Sequence, residues 1–319
     1  MPQLSQREAA RSALAWVESP LQLLSAAEWA QRHLRETGQA TRVAYRISDP
    51  QVVATAEALL RMRAPFARYE PYYGIPWSAL AAARHWIVGD PLSGQFRLAA
   101  SVLPSPRRVT IVDDGAMVVH TMRAIAGETP YARPGQAESR SKTVLGQLAG
   151  ARLATLGRGR RLELFSAFAA AHDPAERAGA TVVPNDFAWL RDAARRGGAP
   201  RIELPSRRLV LGTARVVDGL LSPARHLDWV RELAREAPLG YLPHRRESSE
   251  LLAAVATVPG ITVVRTGLPV ELALAGAVEP LELHALPSSA TTTLAAVLAG
   301  TGSVIRTGRL PAASAEARS

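Results

Sequence analysis

PLGYLPHRRESSELLAAVATVPGITVVRTG, residues 238–267, reads as strand, helix, strand. LGYL and ITVV are short apolar runs of strand chemistry, and SSELLAAVATV (248–258) between them carries its apolar residues at helical spacing. Strands linked through a helix run parallel, and ligands of such sheets gather at the carboxyl ends of the strands. In this stretch that end carries Pro243-His244-Arg245.

The same alternation extends in both directions. LVLGTARV (209–216) is a strand, 222–236 a helix with Pro223 in its first turn, and LELHALP (281–287) a strand leading into a helix capped by Ser288 or Ser289. Towards the amino terminus, ALAWVES (13–19), TRVAYRIS (41–48), ARHWIVGD (83–90), RRVTIVDD (107–114) and RLELFSAF (161–168) are strand-like. Helical patterns lie between them at 20–38, closed by Gly38, and at 51–61, 94–103 and 143–156, with a further one at 186–195. RRGGAPRIELPSRRL (195–209) interrupts the pattern with two glycines and two prolines and is the candidate hinge. The expectation is an α/β fold of two Rossmann-like domains, 1–204 and 205–319, facing one another across a cleft. Residues 123–142 are rich in Gly, Pro, Ser and charge without a sustained period. A loop of that length is expected to be a functional lid or a disordered excursion, with an ordinary mobile surface loop standing beside that reading.

The 319 residues, 47% hydrophobic, suffice for two cores. The chain has no cysteine, which excludes a disulfide framework and thiolate metal sites. The opening residues lack the basic start, apolar stretch and cleavage site of a secretory signal, and no segment has the roughly 18 uninterrupted apolar residues of a membrane span. A soluble cytoplasmic protein is the expectation. Net charge is +10, yet Lys142 is the sole lysine among 38 basic residues and the arginines are scattered without interleaved aromatics. That pattern argues against nucleic acid and for attraction of anionic small molecules.

Three polar signatures beside apolar runs carry the candidate chemistry: Asp113-Asp114-Gly115, Pro243-His244-Arg245 and Pro287-Ser288-Ser289. They supply carboxylates, an imidazole with guanidiniums beside it, and paired hydroxyls. This inventory suits group transfer from a phosphate-linked donor, which needs a base for the acceptor and hydrogen-bond donors for the departing phosphate. Successive strand residues face opposite sides, so one aspartate can face the cleft while the other holds the glycine turn. An ordinary Asp-Asp-Gly turn stands beside that reading. His244 suits either a phosphate or a backbone carbonyl, and the serines suit either helix capping or phosphate binding. Glu18, Ser19 and Gln22 lie in a strand-to-helix turn where they can hydrogen-bond a substrate. The other histidines show no metal-ligand spacing, and there is no DxD arrangement.

WVESPLQLLSAAEW, VDDG, YLPHRRES, GLPVE and LPSSATTTL, in this order from Val17 to Leu298, resemble the bacterial sialyltransferase and polysialyltransferase group. The histidine here follows Pro243, whereas the group's histidine is often followed by proline. The resemblance implies a GT-B-like fold and an inverting, metal-independent transfer of sialic acid, or a related nonulosonic acid, from a CMP-activated donor. It implies a catalytic aspartate, Asp113 with Asp114 in reserve, and His244 acting at the phosphate. It assigns Gly115, Arg245, Glu271, Ser288 and Ser289 to the donor, with Glu271 at the ribose hydroxyls. The first domain is then the acceptor side and the second the CMP side. No cofactor is implied. The expected partners are the CMP-sugar and a glycan or small-molecule acceptor, with a peripheral membrane surface left open. A nucleotide-sugar epimerase or hydrolase on the same fold, or a non-catalytic nucleotide-sugar-binding protein, are the alternatives.

Overall fold

The computed structural model describes residues 13–308, in which twelve strands alternate with twelve α-helices. The chain forms two compact units, divided between Ala199 and Pro200.

The first unit runs β1 (Ala13–Val17), α1 (Pro20–Thr37), β2 (Thr41–Arg46), α2 (Pro50–Arg61), β3 (Phe66–Tyr72), α3 (Trp77–Ala82), β4 (His85–Val88), α4 (Gly94–Val102) and β5 (Arg108–Val112). It continues through α5 (Met117–Ile125), α6 (Arg140–Arg158), β6 (Leu162–Ser166), α7 (His172–Arg177), β7 (Thr181–Pro184) and α8 (Ala188–Arg195). All seven strands pair in parallel, in the order β3-β2-β1-β4-β5-β6-β7. The order reverses between β1 and β4, the kind of switch point at which ligands of open α/β sheets bind. Every residue of β1 and β6 is buried, because helices cover both sheet faces. Trp16, Trp86, Phe96, Ile111, Leu153 and Leu164 belong to one core cluster.

Local chemistry sets the helix ends. Ser19 caps α1, accepting from the Gln22 amide with Pro20 in the first turn, and Gly38 ends the helix at φ 69°. Asp49 and Ser93 cap α2 and α4. Helix α8 has no cap of its own, since Phe187 sits before it at φ 54°. Glu28 of α1 fills the role from outside, its carboxylate accepting from the Trp189 amide at 2.9 Å and the Leu190 amide at 2.8 Å. Burial still outweighs these bonds and raises the Glu28 carboxyl to about 7. Helix α6 touches the turn before β7 backbone to backbone: a Cβ on Gly157 would stand 1.9 Å from the Ala178 carbonyl oxygen.

The polar stretch 123–142 is a loop over a shorter span than expected. Helix α5 extends to Ile125 and α6 begins at Arg140, leaving 126–139 as the connection. This connection is strapped to the loop after β4. The Tyr131 hydroxyl donates to Pro91 O at 2.7 Å, Arg133 pairs with Asp90, and Glu138 accepts twice from Arg97 Nη1 at 2.8 Å. Tyr131 lies against Gly146 and Gly150 of α6, whose missing side chains leave room for it.

The second unit runs β8 (Arg208–Leu211), α9 (Pro223–Glu236), β9 (Leu239–Leu242), α10 (Ser249–Ala256), β10 (Ile261–Val263), α11 (Val270–Ala275), β11 (Glu282–Ala285), α12 (Ser289–Val297) and β12 (Val304–Thr307). Its five strands are parallel in the order β10-β9-β8-β11-β12, reversing between β8 and β11. The two-residue period divides the core. Leu209, Leu211 and Leu283 pack on one face with Leu274 and Leu294, while Val210 and Tyr241 pack on the other with Trp229 and Val255. Among the described residues no helix is long and apolar enough to cross a membrane.

Candidate functional site

At the β1/β4 reversal of the first unit, three loops bring carboxylates near one another. Glu18 follows β1, Asp90 follows β4 and Asp114 follows β5. Glu18 lies 3.3 Å from Arg46 and accepts a long bond from Ser93 at 3.4 Å. Asp90 accepts from the Leu92 amide and pairs with Arg133. Asp114 is half-buried and accepts from the Ser19 hydroxyl at 3.1 Å. Ser19 thus serves the helix and the carboxylate together. Gln22 is buried, with Oε1 accepting from the Glu18 amide at 2.7 Å. Gly89 makes space for it, because a Cβ there would fall 2.1 Å from the glutamine side chain. Gln22 therefore shapes the Glu18 turn from inside and is not presented for contact with a substrate.

The two neighbouring aspartates have divergent surroundings. Asp113 is completely buried and accepts from the Ser166 hydroxyl, from the Ala167 amide at 2.9 Å and from Asn185 Nδ2 at 3.5 Å. It fastens the end of β5 to the segments that follow β6 and β7. Burial raises its carboxyl to about 6 despite these bonds. Gly115 then turns the chain at φ 68°, a conformation that favours glycine. Asp113 meets the interior, whereas Asp114 meets the Ser19 turn.

Burial also lifts the Glu18 carboxyl from 4.5 to about 7, with Asp90 and Asp114 adding to the rise and Arg46 opposing it. Below pH 4.5 the group is protonated folded or unfolded, and its contribution to stability is fully present. As pH rises through 7 the folded chain must carry a buried charge and that contribution is lost. Glu18→Gln removes the charge at nearly constant shape. Its melting temperature should match the parent's near pH 4.5 and exceed it by several degrees at about pH 8. A difference independent of pH would contradict this electrostatic account.

In the second unit the loops leaving β8, β9 and β11 carry the corresponding chemistry. His244 is half-buried after β9, and its Nδ1 accepts from the Arg246 amide at 3.2 Å. The ring proton of the neutral form therefore belongs on Nε2, leaving that nitrogen as a donor. Burial and the adjoining Arg245 and Arg246 lower the tendency of the ring to protonate. Arg245 is exposed, and Arg246 pairs with Asp218 at 2.5 Å. Glu247 ties the loops together, accepting from the Thr213 amide at 2.7 Å, the Tyr241 hydroxyl at 2.8 Å and the His244 amide at 3.3 Å.

Ser288 is the N-cap of α12, but its side chain makes no capping bond and is exposed. Ser289, half-buried, is the first residue of that helix. The α12 amino terminus thus offers a hydroxyl and helix amides at the carboxyl end of β11, beside the β8/β11 reversal. Glu271 stands in the first turn of α11, buried, and accepts from Thr293 Oγ1 of α12 at 2.6 Å. Burial raises its carboxyl. Its observed contact is a clamp between α11 and α12.

Sequence reasoning missed Asp90 and Glu247. Asp90 had a usable signal, because it ends ARHWIVGD as Asp114 ends RRVTIVDD. Glu247 had none beyond its place next to the histidine motif. Arg46 and Arg133 were hidden by the abundance of arginine. Among the described residues no group of three or more His, Asp or Glu is arranged to hold a metal ion.

No family model matches the chain, and no curated protein matches it. Among solved structures, a UDP-glucose: anthocyanidin 3-O-glucosyltransferase in complex with UDP is similar over 93% of this chain and 80% of its own, at 10% identity and TM-score 0.47. A protein from Listeria monocytogenes assigned as a UDP-N-acetylglucosamine 2-epimerase is similar over 88% of this chain and 75% of its own, at 10% identity and TM-score 0.51. The likeness to the Listeria protein is one of fold: two units of parallel α/β sheet in the GT-B class.

Proposed function

We propose that the chain is an inverting glycosyltransferase that moves sialic acid, or a related nonulosonic acid, from a CMP-activated donor to an acceptor hydroxyl. The observation that carries this reading is the contrast between two strand-end sites. The first unit presents carboxylates beside the β1/β4 reversal, while the second presents an imidazole donor, hydroxyls and a helix amino terminus near the β8/β11 reversal. A base suits the acceptor, and neutral or cationic donors suit a departing phosphate.

In the proposed reaction the acceptor oxygen attacks the anomeric carbon as the bond from that carbon to the phosphate oxygen breaks. The acceptor proton passes to Asp114, and CMP leaves with the electron pair of the broken bond. Asp114 takes the role of base that the sequence favoured for Asp113, because Asp113 is sealed in and its oxygens already accept from Ser166, Ala167 and Asn185. Asp113 is then the positioning residue. His244 donates from Nε2 to the phosphate, Ser288 and Ser289 add hydroxyl and amide donors, and Arg245 adds positive charge. The chemistry proposed requires no metal.

The second reading is nucleotide-sugar epimerisation, which the assignment of the Listeria protein brings into consideration. One set of incubations separates the two. The purified chain is given CMP-sialic acid with and without a panel of sialylated acceptors, and separately UDP-N-acetylglucosamine, with products resolved by mass and NMR. Acceptor-dependent release of CMP together with a sialylated product is expected. Epimerised UDP-sugar, or CMP release without transfer, would replace the proposal by epimerase or hydrolase. Tight CMP binding without turnover would make the chain a binding protein.

A further inference from the structure

Helices α4 and α6 present an apolar surface distinct from the strand ends. Leu98 and Val102, one turn apart on α4, are 39% and 65% exposed, and Val144 and Leu148, one turn apart on α6, are 53% and 55% exposed. The helices lie side by side and run the same way: Arg97 bonds Lys142 O and Glu138 near the start of α6, while further along Arg152 reaches the carbonyls of Ala100 and Leu103. Their outward residues therefore belong to neighbouring ridges.

The charge around these ridges has one sign. Residues 94–108 and 139–162 contain no Asp or Glu, and while Arg97 and Arg152 are engaged between the helices, Arg107, Arg108, Arg140, Lys142, Arg158, Arg160 and Arg161 are exposed. Arg140 and Lys142, one turn from Val144, are exposed. The carboxylates that flank these segments in sequence are turned inward and engaged. Asp90 pairs with Arg133, Glu138 with Arg97, and Glu163 accepts from Trp29 and Thr110.

We propose that the α4/α6 face docks on an anionic lipid surface. Aliphatic side chains surrounded by cations match a bilayer whose headgroups are negative and whose interior is apolar. A second copy of the same face would bring cation against cation, and a nucleic acid would leave the four aliphatic residues unused. The docking rests on this surface alone and requires neither donor nor turnover.

The full chain should cosediment with vesicles of equal parts phosphatidylglycerol and phosphatidylcholine at least ~10-fold more strongly than with phosphatidylcholine alone, and more weakly at 0.5 M salt. Leu98→Ser, Val102→Ser, Val144→Ser and Leu148→Ser combined should lower binding to the anionic vesicles at least ~10-fold. Arg140→Glu with Lys142→Glu, at exposed positions, should do so independently, and melting curves would verify that both variants fold. Equal binding to the two vesicle types, or anionic binding unaffected by both variants, would overturn the proposal. So would a parent dimer, found by light scattering, that the serine variant converts to monomer, since the face would then be an interface between copies.

Discussion

Asp114→Asn should lower turnover by about 10²–10⁴-fold, the usual contribution of a positioned general base, with CMP affinity preserved. Asparagine keeps an oxygen able to accept from Ser19, so the turn is retained and only proton acceptance is removed. Asp113→Asn should behave differently. Its new NH2 group must face either the Ala167 amide or the Ser166 hydroxyl, which now donate to two carboxylate oxygens. Facing the Ala167 amide would set donor against donor. A lower melting temperature should accompany any loss of rate, and reduced turnover would reflect a displaced Asp114. Initial rates, CMP titration and thermal unfolding of the two variants decide the matter. An inactive, fully stable Asp113→Asn beside an active Asp114→Asn would return the base to Asp113.

Glu247→Ala should destabilise the second unit by several kcal/mol, because it strands the Thr213 and His244 amides, each at a cost of about 1–3 kcal/mol where water cannot substitute, and leaves the Tyr241 hydroxyl only His226 Nε2, at 2.9 Å, as partner. Against the roughly 5–15 kcal/mol that stabilises a domain, this is a large share. The packing leaves little slack: a Cβ on Gly212 would lie 2.5 Å from the His244 amide and 2.7 Å from a Glu247 carboxylate oxygen. Removing the carboxylate should therefore free the histidine loop and weaken donor binding along with stability. Glu247→Gln, with one acceptor oxygen in place of two, should fall between. Urea unfolding paired with CMP titration tests both effects. An unchanged urea midpoint in Glu247→Ala would show that the carboxylate does not hold the loops.

The sequence exposed most of the α/β alternation, and the reason lies in burial. Central strands such as ALAWV and LVL are covered on both faces and remain apolar throughout. The strands that escaped notice, β3, β7 and β12, all lie at sheet edges. FARYEPY in β3 mixes charge and proline with apolar residues because an edge strand tolerates both. TVVP in β7 and VIRT in β12 are short, with partly exposed residues. The stretch at 126–139 was legible as a loop, but its anchoring was not. Its anchors are single side chains, Tyr131, Arg133 and Glu138, whose partners are distant in sequence.

The candidate site was legible only as an inventory. Strand ends and polar signatures marked Asp113, Asp114, His244 and the serines, but periodicity cannot tell which of two adjacent carboxylates is sealed. Asp113 is identified as interior by Ser166, Ala167 and Asn185, residues on other segments. Glu271 illustrates the same limit. Its place at a helix start could be read locally, whereas its burial against Thr293 depends on the packing of α11 beside α12.

The contrast between Asp113 and Asp114 also bears on how this chain can change over generations. Which carboxylate turns inward depends on its count from the end of β5, and that count survives exchange of one aliphatic residue for another. It does not survive the gain or loss of a single residue before Asp113: a gain would move that aspartate to the half-buried place of Asp114, and a loss would draw it into the buried place of Val112 with Asp114 in the sealed position. Aliphatic exchanges at Val109, Ile111 and Val112 should therefore leave the contrast intact, whereas a change in their number should disturb it. A homologue with an indel within VTIVDDG would have had to rebuild its acidic centre.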